Sequence, residues 1–310
     1  MLKTATLGKT GLSIGVLGAG LSEIGSELSL AADDVKQAGD VINRALDAGL
    51  TFLDTAACYK VSEELIGLTV AGRRNEFTLA TKAGHASGLP TPDWTYETVA
   101  ANIDRSLVRM KTDRLDLVQL HSCGVDVLDK GDVIRALQDA RKAGKVRFLG
   151  YSGDNEAAHW AVDSGHFDTL QTSLNLADQR ARTTGLLKKA EARKMGIIIK
   201  RPIAGGTWGS VKKGRANSRV RGYDDAYFTR NSEMAAVGPV QGEPADPVEF
   251  ALGFTFSHPE VDVAIVGTKD PRHMESNLRL VNAGLKVDKG AIDEMHRRFD
   301  RLGGEWRQLG

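Results

Sequence analysis

The sequence predicts an α/β fold in which parallel strands and helices alternate to close a (β/α)8 barrel, the TIM-barrel class. Short runs rich in apolar and β-branched residues alternate with amphipathic helical patterns along most of the chain. Polar titratable residues lie at or just beyond the ends of three successive predicted strands: Asp54, Tyr59, Lys82 and His121. The ends of parallel barrel strands share one face, where loops form the active site. The 310 residues suit one barrel domain, residues 1–310.

The chain begins with the pattern of a hairpin. Gly8 and Gly11 are turn residues and predict a short hairpin over residues 4–13. The apolar run that follows predicts the first barrel strand at residues 14–20.

Helix signals then separate the next strands. Asp33 and Asp34 favour a helix N-terminus, and apolar residues at helical spacing continue until Gly49. Ser62 and the acids that follow it predict a capping box at the start of another helix. The predicted elements of this half are strands 51–53, 77–81 and 115–120 and helices 35–48, 96–110 and 132–143.

The C-terminal half continues the alternation and contains one long interruption. Its predicted elements are strands 146–151, 169–174, 197–200 and 261–266 and helices 154–164, 183–194 and 292–301. Residues 202–245, after the seventh strand, carry Gly-rich, basic and aromatic portions and are predicted as a loop. A structureless loop of this length is normally functional.

Composition and charge argue against nucleic acid and membrane surfaces as partners. The chain is 41% hydrophobic and 26% charged, with a formal net charge of +1, so no basic surface is indicated. It has neither a signal-peptide pattern at its start nor an apolar stretch long enough to span a bilayer. We therefore expect a cytoplasmic protein, as a monomer or small homo-oligomer.

The two cysteines, Cys58 and Cys123, are too few for a disulfide framework and fit a reducing compartment. We interpret them as small packing residues. The alternative is a thiol-sensitive role, because they lie beside Tyr59 and close to His121.

Two common kinds of site are not indicated. The string GVLGAG at residues 15–20 lacks the spacing of a dinucleotide-binding G-x-G-x-x-G and the helix start that should follow it. The seven histidines show no pairing with carboxylates at metal-ligand spacing, so no metal is expected.

The polar residues at the strand ends suit proton transfer. A phenol has an ordinary pKa of about 10, so Tyr59 needs a nearby cation if it is to act as a proton donor near neutral pH. Lys82 follows the strand pattern FTLAT, and His121 follows LDLVQL. Singly, these residues and Asp54 also have ordinary structural interpretations, such as a helix cap or a satisfied core histidine. Their equivalent positions on successive strands favour a shared site.

The motifs that contain these residues resemble the aldo-keto reductase family. They are GLTFLDTAACY from Gly49 to Tyr59, TKAG from Thr81 to Gly84 and QLH from Gln119 to His121, and the similarity extends from about residue 7 to about residue 277. The resemblance implies that the hairpin plugs the bottom of the barrel. It also implies that Tyr59 donates the proton, Lys82 stabilises the phenolate, Asp54 positions Lys82 and His121 orients the substrate carbonyl.

The resemblance also implies a nicotinamide site. Ser152 and Gln171 match positions that hydrogen-bond the carboxamide, with Asn175 close to Gln171; for Ser152, helix capping is the alternative. Gly153 replaces a frequent Asn, so we expect that one contact is missing or comes from residue 154 or 155.

The end of the seventh strand departs from the family pattern. Many members have an aromatic residue that stacks on the nicotinamide, whereas this chain has Lys200, Arg201 and Pro202. A guanidinium is planar and can stack, so Arg201 could substitute; phosphate binding and simple exposure to solvent are the alternatives. Gly205 and Gly206 would let the backbone approach the pyrophosphate.

The segment after the last strand resembles the family's adenosine-phosphate segment, which implies contacts from Gly267, Thr268, Lys269, Arg272, His273 and Asn277. The free N–H groups at a helix start attract phosphate, and a cation such as Lys269 can meet a 2′-phosphate. We therefore expect NADPH in preference to NADH. Asp270 counts against this, because an acid there could accept from a ribose hydroxyl.

The sequence thus predicts an NADPH-dependent reductase of an aldehyde, ketone or sugar, or the reverse alcohol oxidation. One alternative is a regulatory subunit that binds the nucleotide with little turnover. Another is a lyase with Lys82 as Schiff-base nucleophile. The substrate is not specified, but Trp94, Trp208, Tyr223 and Phe228 are candidate pocket walls.

Overall fold

The computed structural model describes residues 2–214 and 223–309, and its centre is a closed barrel of eight parallel strands. The predicted α/β barrel is confirmed. Most of the basic portion of the predicted long loop, residues 215–222, lies outside the described residues. Within the described ranges, none of the helices combines the length and apolar character that crossing a bilayer requires.

A hairpin precedes the barrel. Strands β1 (Thr4–Thr6) and β2 (Ser13–Gly15) pair antiparallel across a 3-10 turn, Gly8–Thr10. Leu7 and Ile14 are fully buried and belong to the same core cluster as residues inside the barrel. The Lys9 amide donates to the Lys194 carbonyl just before a barrel strand begins. The hairpin therefore covers the N-terminal end of the barrel, but its second strand includes Ile14, which the sequence assigned to the first barrel strand.

The barrel strands are β3 (Leu17–Gly20), β4 (Phe52–Asp54), β5 (Thr78–Ala83), β6 (Leu115–His121), β7 (Val146–Ser152), β8 (Thr169–Ser173), β9 (Gly196–Lys200) and β10 (Val263–Val266). Each strand pairs in parallel with the next along the chain, and β10 pairs with β3 to close the barrel. Phe52, Ala80, Leu117 and Ile198 fill the interior. Gly18 makes room for this packing, because a Cβ there would lie 2.9 Å from the Phe52 ring.

The helices are α1 (Ser22–Glu27), α2 (Ala32–Asp47), α3 (Ser62–Thr69), α4 (Tyr96–Arg109), α5 (Val125–Leu128), α6 (Asp132–Lys142), α7 (Asn155–Ser164), α8 (Arg180–Thr183), α9 (Leu186–Ala192), α10 (Thr207–Lys212), α11 (Asp224–Ala236), α12 (Pro247–Phe256), α13 (Pro271–Asn282) and α14 (Lys289–Leu302). Their apolar faces pack around the barrel, as the amphipathic helical patterns predicted.

Three local predictions were wrong. The Ser62 hydroxyl does not cap α3; it donates to the Leu21 carbonyl and accepts from the Thr55 hydroxyl inside the protein. The helix predicted over 183–194 is divided into α8 and α9, because Gly185 adopts a left-handed conformation between them. The segment predicted as a structureless loop, 202–245, contains α10 and α11 and packs Trp208 and Tyr227 into the core.

Candidate active site

The four titratable residues predicted from the strand ends lie together at the C-terminal rim of the barrel. Asp54 ends β4, Lys82 lies on β5, His121 ends β6 and Tyr59 lies on the loop after β4. The Lys82 Nζ lies 5.0 Å from the centre of the Tyr59 ring, and the Tyr59 and His121 ring centres are 5.5 Å apart. All four line one cavity of about 320 Å³. The strand ends therefore bring an acid, a phenol, an amine and an imidazole to one opening.

Asp54 and Lys82 form a buried ion pair. Each side chain is 2% exposed, and the Lys82 Nζ also donates to the Thr55 carbonyl at 2.8 Å. Burial opposes the ammonium charge, but the charge and hydrogen bond of Asp54, together with Tyr59 and Cys58, outweigh burial and raise the pKa of Lys82. Lys82 is therefore a permanent cation near neutral pH.

Amide side chains hold the other oxygen of Asp54. Gln171 Nε2 donates to Asp54 Oδ1 at 2.9 Å and Gln119 Nε2 donates to it at 3.2 Å. Ser152 donates in turn to Gln171 Oε1 at 2.8 Å. The sequence pointed to Ser152 and Gln171 as cofactor residues, with helix capping as the alternative for Ser152, and gave Gln119 no role. Both glutamines help to fix Asp54 across the barrel interior, since Gln119 lies on β6 and Gln171 on β8.

The surroundings of Tyr59 keep its hydroxyl protonated. Burial raises the pKa of Tyr59, Lys82 lowers it and Asp54 raises it, with a net upward shift. Lys82 thus acts in the direction predicted from the sequence, but it does not outweigh burial. The phenol is available as a proton donor.

His121 is a neutral imidazole near neutral pH. Burial, followed by the positive charge of Lys82, holds the pKa of His121 well below its usual range. Its Nδ1 lies 3.3 Å from the Cys58 Sγ, a contact that the sequence did not predict. The His85 ring packs edge-on against the His121 ring, with the two ring centres 5.3 Å apart.

A second buried ion pair lies at the end of β9. Lys200 Nζ is 2.9 Å from Asp154 Oδ2, and Asp154 also accepts from the Thr172 hydroxyl at 2.8 Å and the Ser173 amide at 2.7 Å. Burial and the neighbouring Arg201 charge outweigh Asp154 and lower the pKa of Lys200. The Asp154 carboxylate therefore already has three partners within the protein: Lys200, Thr172 and Ser173.

The expectation that residue 154 or 155 replaces the missing family Asn is therefore not supported. Asn155 donates its amide to the Leu309 carbonyl at 3.1 Å, and neither residue lines the cavity. Gly153 has a different cause: a Cβ there would lie 2.6 Å from the Tyr151 hydroxyl oxygen. That hydroxyl donates to the Cys123 carbonyl at 2.7 Å, so the space near residue 153 is already occupied.

Arg201 presents its guanidinium to the cavity in an unusual backbone conformation. Its φ is 59°, and its guanidinium carbon lies 3.9 Å from the centre of the Tyr223 ring. Its Nη1 is buried with no hydrogen-bond partner among the described residues. Asn175, which the sequence placed close to Gln171, donates to the Arg201 carbonyl at 3.0 Å. The planar guanidinium of Arg201 thus packs against Tyr223, from the long segment after β9, and Asn175 holds its backbone.

The other predicted cofactor residues fall into two groups. Ser152, Gln171, Pro202, Gly205 and Gly267 line the same cavity as the four titratable residues. The second group surrounds the start of α13 and lies outside that cavity: Thr268, Lys269, His273 and Asn277.

Several residues at the start of α13 already have polar partners. Lys269 pairs with Glu27 at 2.9 Å, and its side chain is 42% exposed. His273 Nδ1 is 3.5 Å from the Thr268 hydroxyl. The Asp270 carboxylate caps α13 and pairs with Arg272 at 2.7 Å. It is thus occupied as a helix cap.

Comparisons with known proteins show the family and the fold. The chain matches the profile described as "Aldo/keto reductase family" over residues 16–296. It is 29% identical to 6-dehydroglucose reductase of Novosphingobium aromaticivorans over 236 residues, 73% of this chain and 74% of the relative. It is 25% identical to L-galactose dehydrogenase of Arabidopsis thaliana, covering 81% and 80%. A solved aldo-keto reductase from Bacillus halodurans shares the fold, with a TM-score of 0.76, 20% identity and 96% coverage of both chains.

Proposed function

Because this chain belongs to the aldo/keto reductase family, and so to a group of carbonyl oxidoreductases, we propose that it reduces an aldehyde, ketone or sugar carbonyl to an alcohol with NADPH, or catalyses the reverse reaction. The observation that carries the proposal is the cavity in which Tyr59 and a neutral His121 meet the buried Asp54–Lys82 pair. When bound, NADPH would supply the hydride for the carbonyl carbon, and the residues that line this cavity would hold its nicotinamide end.

Tyr59 completes the reduction by giving its phenolic proton to the carbonyl oxygen. The phenolate that remains is a costly anion in a partly buried site. The Lys82 ammonium near the Tyr59 ring stabilises that anion. Asp54 holds Lys82 in place, and the two glutamines hold Asp54. The proton returns to Tyr59 from solvent after the alcohol leaves.

His121 serves as a neutral hydrogen-bond donor to the carbonyl oxygen. A ring with so low a pKa carries no second proton to release near neutral pH, so it does not compete with Tyr59 as the acid. A donor aimed at the oxygen on which negative charge develops favours the transition state.

The residues that line the cavity fit a nicotinamide nucleotide. The unpartnered Nη1 of Arg201 and the glycines Gly205 and Gly267 leave polar groups and open backbone along one wall. At Gly205, with a φ of 65°, a Cβ would lie 2.7 Å from the Asp224 carboxylate. We propose that Ser152 and Gln171 bind the carboxamide, Arg201 flanks the nicotinamide ring, and Pro202, Gly205 and Gly267 shape the path of the pyrophosphate.

The preference for NADPH rests on the residues around the start of α13. We propose that Lys269 and His273 meet the 2′-phosphate, with Thr268 and Asn277 contacting the adenosine end. The exposed Lys269 is free to exchange its surface pair with Glu27, because such pairs contribute at most about 1 kcal/mol. Asp270 is engaged by the helix N-terminus and Arg272, which weakens its case as a ribose acceptor.

We also propose that the protein is cytoplasmic. Cys58 and Cys123 are both free thiols, which fits a cytoplasmic protein. The partner we propose is a small carbonyl or alcohol, with the enzyme acting as a monomer or small homo-oligomer.

The direct test follows absorbance in the nicotinamide band while the protein turns over a panel of aldehydes, ketones and sugars. We expect cofactor oxidation with at least one carbonyl and faster turnover with NADPH than with NADH. Nucleotide binding without oxidation under any substrate would contradict the proposal and favour a regulatory subunit. A Schiff-base role for Lys82 is disfavoured, because an ammonium held by Asp54 is not a nucleophile.

A further inference from the structure

Cys58 is the only residue among those described whose side chain hydrogen-bonds the His121 ring. Its Sγ lies 3.3 Å from His121 Nδ1. Cys58 immediately precedes Tyr59 on the loop after β4, so the same short loop delivers the phenol and the thiol. The His121 ring also lines the cavity that holds Tyr59 and Lys82.

The contact between Cys58 and His121 has a preferred direction. An unprotonated imidazole nitrogen is a good acceptor, whereas a thiol sulfur is a weak one. Burial raises the pKa of Cys58 despite the nearby Lys82, so the sulfur keeps its proton. The imidazole is neutral and carries a single N–H. The favourable arrangement is therefore Cys58 S–H donating to Nδ1, which leaves the ring proton on Nε2.

We propose that Cys58 is a positioning residue that holds His121 in the Nε2–H tautomer, so that the ring presents a donor and not a lone pair to the substrate carbonyl. The proposal rests on the proposed carbonyl reduction. The opposite tautomer would turn a bare nitrogen lone pair toward a carbonyl oxygen on which negative charge is growing. With the Nε2–H form, Tyr59 and His121 both donate to one oxygen, which can accept two hydrogen bonds.

The tautomer can be measured without any substrate. A long-range NMR correlation between the carbon-bound ring protons and both ring nitrogens distinguishes the two tautomers. The signals of His121 are assigned as those missing from His121→Asn. The wild-type protein should show a pyridine-like Nδ1 and a pyrrole-like Nε2 for His121. Cys58→Ser keeps a donor and should show the same pattern. Cys58→Ala should shift His121 toward a mixture of tautomers. A pyrrole-like Nδ1 in the wild-type protein, or an unchanged tautomer in Cys58→Ala, would overturn the proposal.

Turnover supplies the second readout. Cys58→Ala should lower kcat by about tenfold with little change in NADPH affinity, whereas Cys58→Ser should stay within about threefold of wild type. Cys123→Ala is the matched control, because it removes the other free thiol, whose side chain has no hydrogen bond to His121 in the described structure. Equal losses in Cys58→Ala and Cys58→Ser would contradict the donor role.

The two tests separate this proposal from the function on which it rests. If no carbonyl is turned over by the wild-type protein, the proposed function fails, while the nitrogen spectrum still decides the tautomer of His121. If turnover is normal and the tautomer is the opposite one, only the role of Cys58 fails.

Discussion

Two buried lysine–aspartate pairs lie on the same rim of the barrel, and the pKa values of their lysines are shifted in opposite directions. Lys82 pairs with Asp54 and Lys200 pairs with Asp154, and all four side chains are at most 13% exposed. The pKa of Lys82 is raised and the pKa of Lys200 is lowered, although burial disfavours both charges. Ion pairing alone therefore does not decide the charge state of a buried lysine.

The neighbours of each pair explain the difference. Lys82 is surrounded by groups that favour its charge, first Asp54 and then Tyr59. Lys200 lies beside the Arg201 cation and within the field of Lys82, and both disfavour its charge. Asp154 is also shared among Lys200, Thr172 and Ser173. One pair thus maintains a cation beside the phenol, and the other anchors the end of β9, where Arg201 projects.

Replacing each lysine by methionine should separate these two roles. Lys82→Met and Lys200→Met should each lower the free energy of unfolding by about 3–5 kcal/mol, because each leaves a buried carboxylate without its cation. Lys82→Met should also lower kcat by at least about a hundredfold, and Lys200→Met should lower it much less at saturating NADPH. Denaturant unfolding and steady-state kinetics measure the two effects.

Lys145→Met is the matched control for the stability measurement. Lys145 forms an exposed pair with Asp104, and its loss should cost at most about 1 kcal/mol. Similar losses of turnover in Lys82→Met and Lys200→Met would remove the contrast between the pairs.

Alkaline pH should reveal the opposite shifts directly. The folded-state pKa of Lys200 lies below its ordinary 10.5, so between these two values the unfolded chain binds more protons than the folded one. Wild-type stability should therefore rise with pH in this window relative to Lys200→Met. For Lys82, with a raised pKa, the contribution is complete below 10.5 and is lost as the pH rises above it. Unfolding midpoints of the variants along a pH series measure both trends, and a parallel pH dependence in all three proteins would argue against the opposite shifts.

The smallest expected effect concerns the surface near α13. Lys269→Ala should weaken NADPH binding by roughly tenfold and NADH binding by much less, because one charge-assisted contact to a phosphate is lost. Lys289→Ala removes a lysine of another exposed pair and should change neither affinity. Fluorescence titrations with both nucleotides decide the matter, and equal weakening of NADPH and NADH would exclude a contact between Lys269 and the 2′-phosphate.

The side of the rim that holds Lys82 was predictable from the sequence. Asp54, Lys82 and His121 end successive strands, and a parallel barrel brings such ends together whatever the loops do. Tyr59 follows because only a short loop separates it from Asp54. The contacts of Gln119 and Cys58 were not predictable, since they depend on side-chain directions between elements that β5 separates.

The side that holds Lys200 was less predictable for a physical reason. Tyr223, which stacks on Arg201, comes from a segment whose helices α10 and α11 have no strong sequence pattern. Gly153 could be identified as a departure from the family, but the Tyr151 ring that explains it belongs to the core.

Ser62 had the pattern of a cap, and its burial against Leu21 gave the hydroxyl a different partner.

Tyr59, as the proton donor beside the Lys82 cation, is the central residue of the proposed carbonyl reduction. Tyr59→Phe should bind NADPH within about threefold of wild type and lose at least about a hundredfold in kcat for a carbonyl that the wild-type protein reduces. Tyr96→Phe, which removes a hydroxyl bonded to Asp139 outside the cavity, should retain wild-type turnover. A Tyr59→Phe protein with wild-type kcat would contradict the central claim.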